Sequence, residues 1–93
     1  MAIPFTSHFS IPADVMVRQI GEEAVLLNLK AEQYMGLDSV SHRAWQVLTA
    51  GGTVQQAYDA LLAEYDVAPE RLRSDLEEFV QELLQHGLVE QKG

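Results

Sequence analysis

Histidines and carboxylates are the residues of this chain that could move protons or hold a metal, and their spacing argues against both. His8, His42 and His86 stand far apart, with no HxxxH or HExxH repeat to set two imidazoles on one helical face. Surface or capping roles are expected for all three. His86 falls in the last turn of a helical segment, where its protonated form favours the C-terminal dipole. Cysteine is absent, which excludes disulfides and thiolate ligands and suits a reducing compartment. Gly51-Gly52 follows a helical segment instead of leading from a strand into one, so it lacks the setting of a phosphate loop. No nucleophile stands beside a base in any recognisable motif. The expectation is a protein that is not an enzyme and uses no cofactor and no metal.

Charge narrows the partners. Fourteen acids against six bases give a net charge of -8, a field that repels nucleic-acid phosphates; its ordinary reading is solubility, and the sharper one is attraction toward a basic partner or peptide. Glu70, Asp75, Glu77, Glu78 and Glu82 fall on one helical segment, and the ordinary explanation for them is a solvated face. Arg71 and Arg73 lie among them, placed for i,i+4 pairs with Asp75 and Glu77. No long uncharged apolar run and no cationic start followed by an apolar stretch is present, so the expectation is a soluble, unprocessed, cytoplasmic protein without membrane contact.

The elements that would position a binding surface read as strands first and helices second. An apolar fraction of 47% over 93 residues suits one folded domain. Residues 1–14 hold two of the three prolines and the scattered apolar residues Ile3, Phe5, Phe9 and Ile11, the pattern of an extended arm that packs in part. Val15 to Ile20 and Ala24 to Leu29 are strand candidates joined at Gly21-Glu22, and Gln33 to Leu37 is a third. Gly36 inside that third strand reads equally as a bulge or as an opening for a partner's backbone. Ser39 is placed to cap a helix running to about Ala50, with Trp45 as its core anchor. Thr53 and Gln56 form a capping box for a second helix ending near Asp66. The third starts at Pro69 behind Ala68, a poor cap, and stops at Gly87. Its stripe of Leu72, Leu76, Phe79 and Leu83 widens through Val80 and Leu84 toward Arg73 and Glu77. Leu88 to Glu90 suits a last short extended piece. The expected organisation is an arm over 1–14, a domain over 15–90 and a polar tail over 91–93.

The predicted fold class is α+β, a three-stranded antiparallel N-terminal sheet followed by three helices, the layout of a winged-helix-like domain. So small a sheet leaves an edge uncovered, and an uncovered edge accepts a strand from another chain. The stretches AVLLNLKAEQYMGLDSVSHRAWQVL, GGTVQQAYDALLAEYDV and DLEEFVQELLQHGLV resemble the PqqD family, over about Val15 to Val89. That family includes the pyrroloquinoline-quinone peptide chaperone and the leader-binding RiPP recognition elements of lasso-peptide and related clusters. The resemblance to the quinone-cofactor branch is weaker in the second strand and its following turn.

What the resemblance implies is a non-catalytic module that binds the leader of a ribosomally made precursor peptide as an added strand and presents the core to a modifying enzyme or leader peptidase. Carried onto this chain, the receiving edge is Gln33, Tyr34, Met35 and Gly36. The facing wall is expected to be Arg73, Leu76, Glu77, Val80 and Leu84, with Leu76 and Val80 reading at least equally as plain core. Two alternatives share the architecture. A winged-helix transcription regulator needs a basic recognition helix, which the third helix is not. A protein-protein adaptor would use the same groove for another protein or, in a homodimer, for the arm bearing Phe5 and Phe9.

Overall fold

A two-residue turn at Gly21-Glu22 starts the architecture. Gly21 has φ +63° at the first central position, the conformation that a type II′ hairpin turn asks of its glycine. It joins β2 (Val15–Ile20) to β3 (Glu23–Asn28), paired antiparallel from Val15 opposite Asn28 to Ile20 opposite Glu23. β4 (Gln33–Leu37) then returns beside β3, giving the strand order β2-β3-β4. The computed structural model describes residues 4–92.

The register decides which side chains face the core. Leu26 lies opposite Met35 and Ala24 opposite Leu37, so these four share the inner face, with Leu26, Ala24 and Leu37 buried and Met35 half-buried. Tyr34 and Gly36 alternate with them and point outward. Gly36 keeps its place opposite Val25 in an unbroken register, so the bulge reading does not hold. Its φ is not positive, and a Cβ there would meet nothing within 4 Å.

Asp38 follows β4 directly and caps α1 (Ser39–Thr49), its Oδ1 accepting from the Ser41 backbone N–H at 2.8 Å. The cap expected at Ser39 therefore sits one residue earlier. Both residue types can cap, and the carboxylate was the one left outside the first turn when the strand ended. His42 is another correction. It is only 6% exposed and its Nδ1 donates to the Glu22 carbonyl at 3.0 Å, tying α1 to the hairpin turn instead of lying on the surface. His86 does cap, with Nδ1 2.9 Å from the Glu82 carbonyl, and His8 is exposed.

The capping box holds as read. Thr53 Oγ1 accepts from the Gln56 N–H at 3.1 Å while Gln56 Oε1 accepts from the Thr53 N–H at 2.8 Å, opening α2 (Val54–Glu64). α3 (Pro69–Gln85) starts with Pro69 and no side-chain cap at Ala68, and buries Leu72, Leu76, Val80 and Leu83. Gly87, at φ +66°, ends it.

Residues 5–10 pack more fully than an arm. Phe5 and Phe9 are buried in the core, and β1 (His8–Ser10) pairs antiparallel with β5 (Glu90–Lys92), Phe9 opposite Gln91. The Phe5 ring meets Tyr58 edge-on, centroids 6.0 Å apart, and carries the Arg73 guanidinium 4.2 Å above its face. Residues 91 and 92, expected in a polar tail, thus extend a strand that closes the chain on itself. The pairing also draws the first segment onto its own α2 and α3, away from β4. Residues 1–3 and 93 lie outside the described part.

Candidate peptide-binding groove

β4 is a sheet edge. It pairs with β3 alone among the described residues, so backbone N–H and C=O groups along its other side face outward without a strand partner. This rim holds Gln33, Tyr34, Met35 and Gly36 together, as the sequence predicts, with Gln33 and Gly36 exposed and Tyr34 75% exposed.

An open groove of about 690 Å3 runs between this edge and α3. Met35 from β4, Val40 from α1, and Leu72 and Phe79 from α3 supply its apolar lining, with Val67 at one end. Each is placed by an element already described. Met35 is the inward residue of the rim, and Val40 follows the Asp38 cap. Leu72 and Phe79 lie on the sheet-facing flank of α3.

The predicted wall lies on the flank of α3 turned away from this groove. At about 100° per residue, Phe79 and Asp75 fall within about 60° on one side of Leu72, whereas Arg73, Leu84 and Glu77 fall about 100° to 140° on the other. Arg73 is held over Phe5 and pairs with Glu77, its Nε 3.7 Å from Glu77 Oε1. Leu84 packs half-buried against the core. Leu76 and Val80 are core residues, 3% and 1% exposed. None of the five lines the groove. The surplus apolar width at Val80 and Leu84 is consumed by the protein's own core. Missed were Leu72, Asp75 and Phe79, and a stripe bordered on both sides by charge carries no signal of which flank the sheet will face.

The walls are fastened at one end. Asn28, 8% exposed, donates from Nδ2 to the Gly87 carbonyl at 2.9 Å and the His86 carbonyl at 3.3 Å. Its Oδ1 accepts from Ala31 N–H at 3.0 Å, which shapes the turn where Glu32 takes φ +55° before β4 begins. One buried amide thereby sets both where β4 starts and where α3 stops.

Among the described residues no group of histidine and carboxylate side chains could hold a metal ion. The arrangement offers instead main-chain hydrogen-bonding groups along a rim, an apolar trough beside them and charge around it, which is the equipment for holding an extended peptide.

The fold and groove define a small α+β domain with a strand edge open beside a helix, and known proteins share it. Residues 23–89 match the family described as coenzyme PQQ synthesis protein D (PqqD), and the chain belongs to that family. No curated protein matches the chain. Among solved structures it is similar to TbiB1 in complex with the TbiA(beta) leader peptide. That likeness has 36% identity over 87% of this chain and 94% of the other, and a TM-score of 0.80. The fold is shared as well with lasso peptide synthetase B1 complexed with the leader peptide. There the identity is 23% over 89% of this chain and 98% of the other, and the TM-score is 0.79.

Proposed function

We propose that this protein is a non-catalytic recognition element that binds the leader segment of a ribosomally made precursor peptide. It captures the leader as a strand added to β4 and presents the rest of the precursor to a modifying enzyme or leader peptidase. The observation that carries this is the unpaired outer side of Gln33–Gly36 beside the Met35, Leu72 and Phe79 trough. The relation to TbiB1, solved with a leader peptide, supports it.

An added strand would take its hydrogen bonds from the β4 backbone, an affinity indifferent to sequence, and its selectivity from alternate side chains lowered into the trough. Gly36 leaves the outer face open beside the incoming chain. Ordering a flexible leader costs conformational entropy, so the apolar contacts at Phe79 and Leu72 are needed for useful affinity. Tethering then raises the effective concentration of the remaining precursor at an enzyme's active site without new contacts. A role in the maturation of ribosomally made peptides supports a cytoplasmic location for the protein. No helix among the described residues is long and apolar enough to cross a membrane.

Labelled leader peptides from short precursor genes adjacent to its own gene test the reading, titrated beside duplex DNA at moderate salt. Saturable leader binding with amide shifts along Gln33–Gly36 is expected. Saturable DNA binding with no response to any leader would overturn it in favour of a transcription regulator.

A further inference from the structure

The trough is apolar, but its surroundings are acidic. Asp75, Glu78 and Glu82 line it from α3, Asp66 from the α2–α3 connection and Asp38 from the start of α1. Arg71 is the groove's one cation among the described residues, and Asp75 already takes it at 3.6 Å, Nε to Oδ2. Glu78 and Glu82 stand at i,i+4 with no ion pair among the described residues. That spacing costs a helix a few tenths of a kcal/mol, about as much as an opposite pair would contribute. Here the two acids lie on the groove-facing flank with Asp75, while the opposite flank carries the balanced Arg73–Glu77 pair.

We infer that the groove selects cationic peptides: extended segments whose apolar side chains enter the Met35–Leu72–Phe79 trough and whose lysines or arginines meet Glu78, Glu82 and Asp75. This rests on the strand-addition reading and names the class of ligand. The carboxylates reject an acidic segment of the same apolar pattern, which would be forced to bring its charges against theirs. Long basic side chains suit the geometry, because their methylene stems lie along Phe79 while their heads reach the rim.

The test uses three fluorescein-labelled 12-residue peptides that share two central apolar residues at alternate positions and carry lysine, glutamine or glutamate at the flanking positions of that same face. They are titrated against the full chain and two charge-reversed variants. One is Glu78→Lys with Glu82→Lys in the groove. The other is Asp59→Lys with Glu90→Lys, exposed and outside it, with the same change of net charge. The lysine peptide should bind the wild type about tenfold more tightly than the glutamate peptide, the scale of two or three exposed ion pairs, and should lose that margin at high salt. Groove reversal should invert the order, and the distant reversal should preserve it. Equal affinities for all three peptides, or the same response to both reversals, would overturn the inference while leaving strand capture standing. Binding of no peptide at all would overturn both.

Discussion

Asn28 Nδ2 donates to the Gly87 carbonyl across 2.9 Å, and through that bond the last residue of β3 holds the end of α3. The two are matched. A Cβ on Gly87 would come within 2.8 Å of Asn28 Nδ2, and the residue's φ of +66° independently asks for glycine. Groove position, and with it any ligand contact, depends on a pair that does not touch the groove.

Asn28→Ala should therefore cost about 1 to 3 kcal/mol, because the two carbonyls at the end of α3 and the Ala31 amide lose their partner in a part-buried site. Denaturant unfolding measures this. Peptide affinity should fall as well, since the walls lose their common fastening, and a stable variant with unaltered binding would show that Asn28 does not set the groove.

Substitutions on the two flanks of α3 should separate. Phe79→Ser is expected to weaken leader binding by roughly tenfold or more, the range of a central apolar contact. Arg73→Gln gives up its stacking on Phe5 and its pair with Glu77, at a stability cost of about 0.5 to 1 kcal/mol, and should leave affinity unchanged. Fluorescence anisotropy beside thermal melts reads both quantities, and the reverse pattern would return the site to the Arg73 flank.

Asp38→Ala removes the α1 cap and should destabilise by about 1 kcal/mol, whereas Ser39→Ala should sit within a few tenths of wild type. Equal losses at the two positions would contradict the observed cap.

Arg43 and Glu64 join α1 to α2 through paired contacts, Nε to Oε1 and Nη2 to Oε2, each 2.9 Å. The hydrogen bond from Arg43 holds the Glu64 carboxyl below its ordinary range, opposed by some desolvation and helped by Coulomb attraction. A depressed carboxyl contributes stability above its unfolded pKa and loses it as pH falls through the folded value. Glu64→Gln should thus lower Tm slightly at pH 7, and the difference should close in acid. Both groups are exposed, so added salt should also shrink it.

The strands, the capping box and the helix stops were legible because each rests on local chemistry: β-branched residues in VMVRQI up to the Gly21 turn, reciprocal hydrogen bonding by Thr53 and Gln56, left-handed backbone at Gly21 and Gly87. The free edge followed from strand order alone. What sequence could not give was the rotation of α3 against the sheet. Its stripe is flanked by Arg73 and Glu77 on one side and by Asp75 and Glu78 on the other, and the choice is made by Phe5, which covers the Arg73 flank from the far end of the chain. His42 was misread for a similar reason. Its partner is the Glu22 carbonyl, a backbone atom that no side-chain pattern reports.

Because β4 and α3 are latched beside Gln33 and merely adjoin near Asp38 and Ala68, the cleft is built like a clothes peg with a single spring. Prising it apart at the latched end means breaking two part-buried hydrogen bonds from Asn28, whereas α3 begins at the far end without even a side-chain cap. A peptide is therefore expected to enter more readily from the Ala68 end of the cleft than from the Asn28 end.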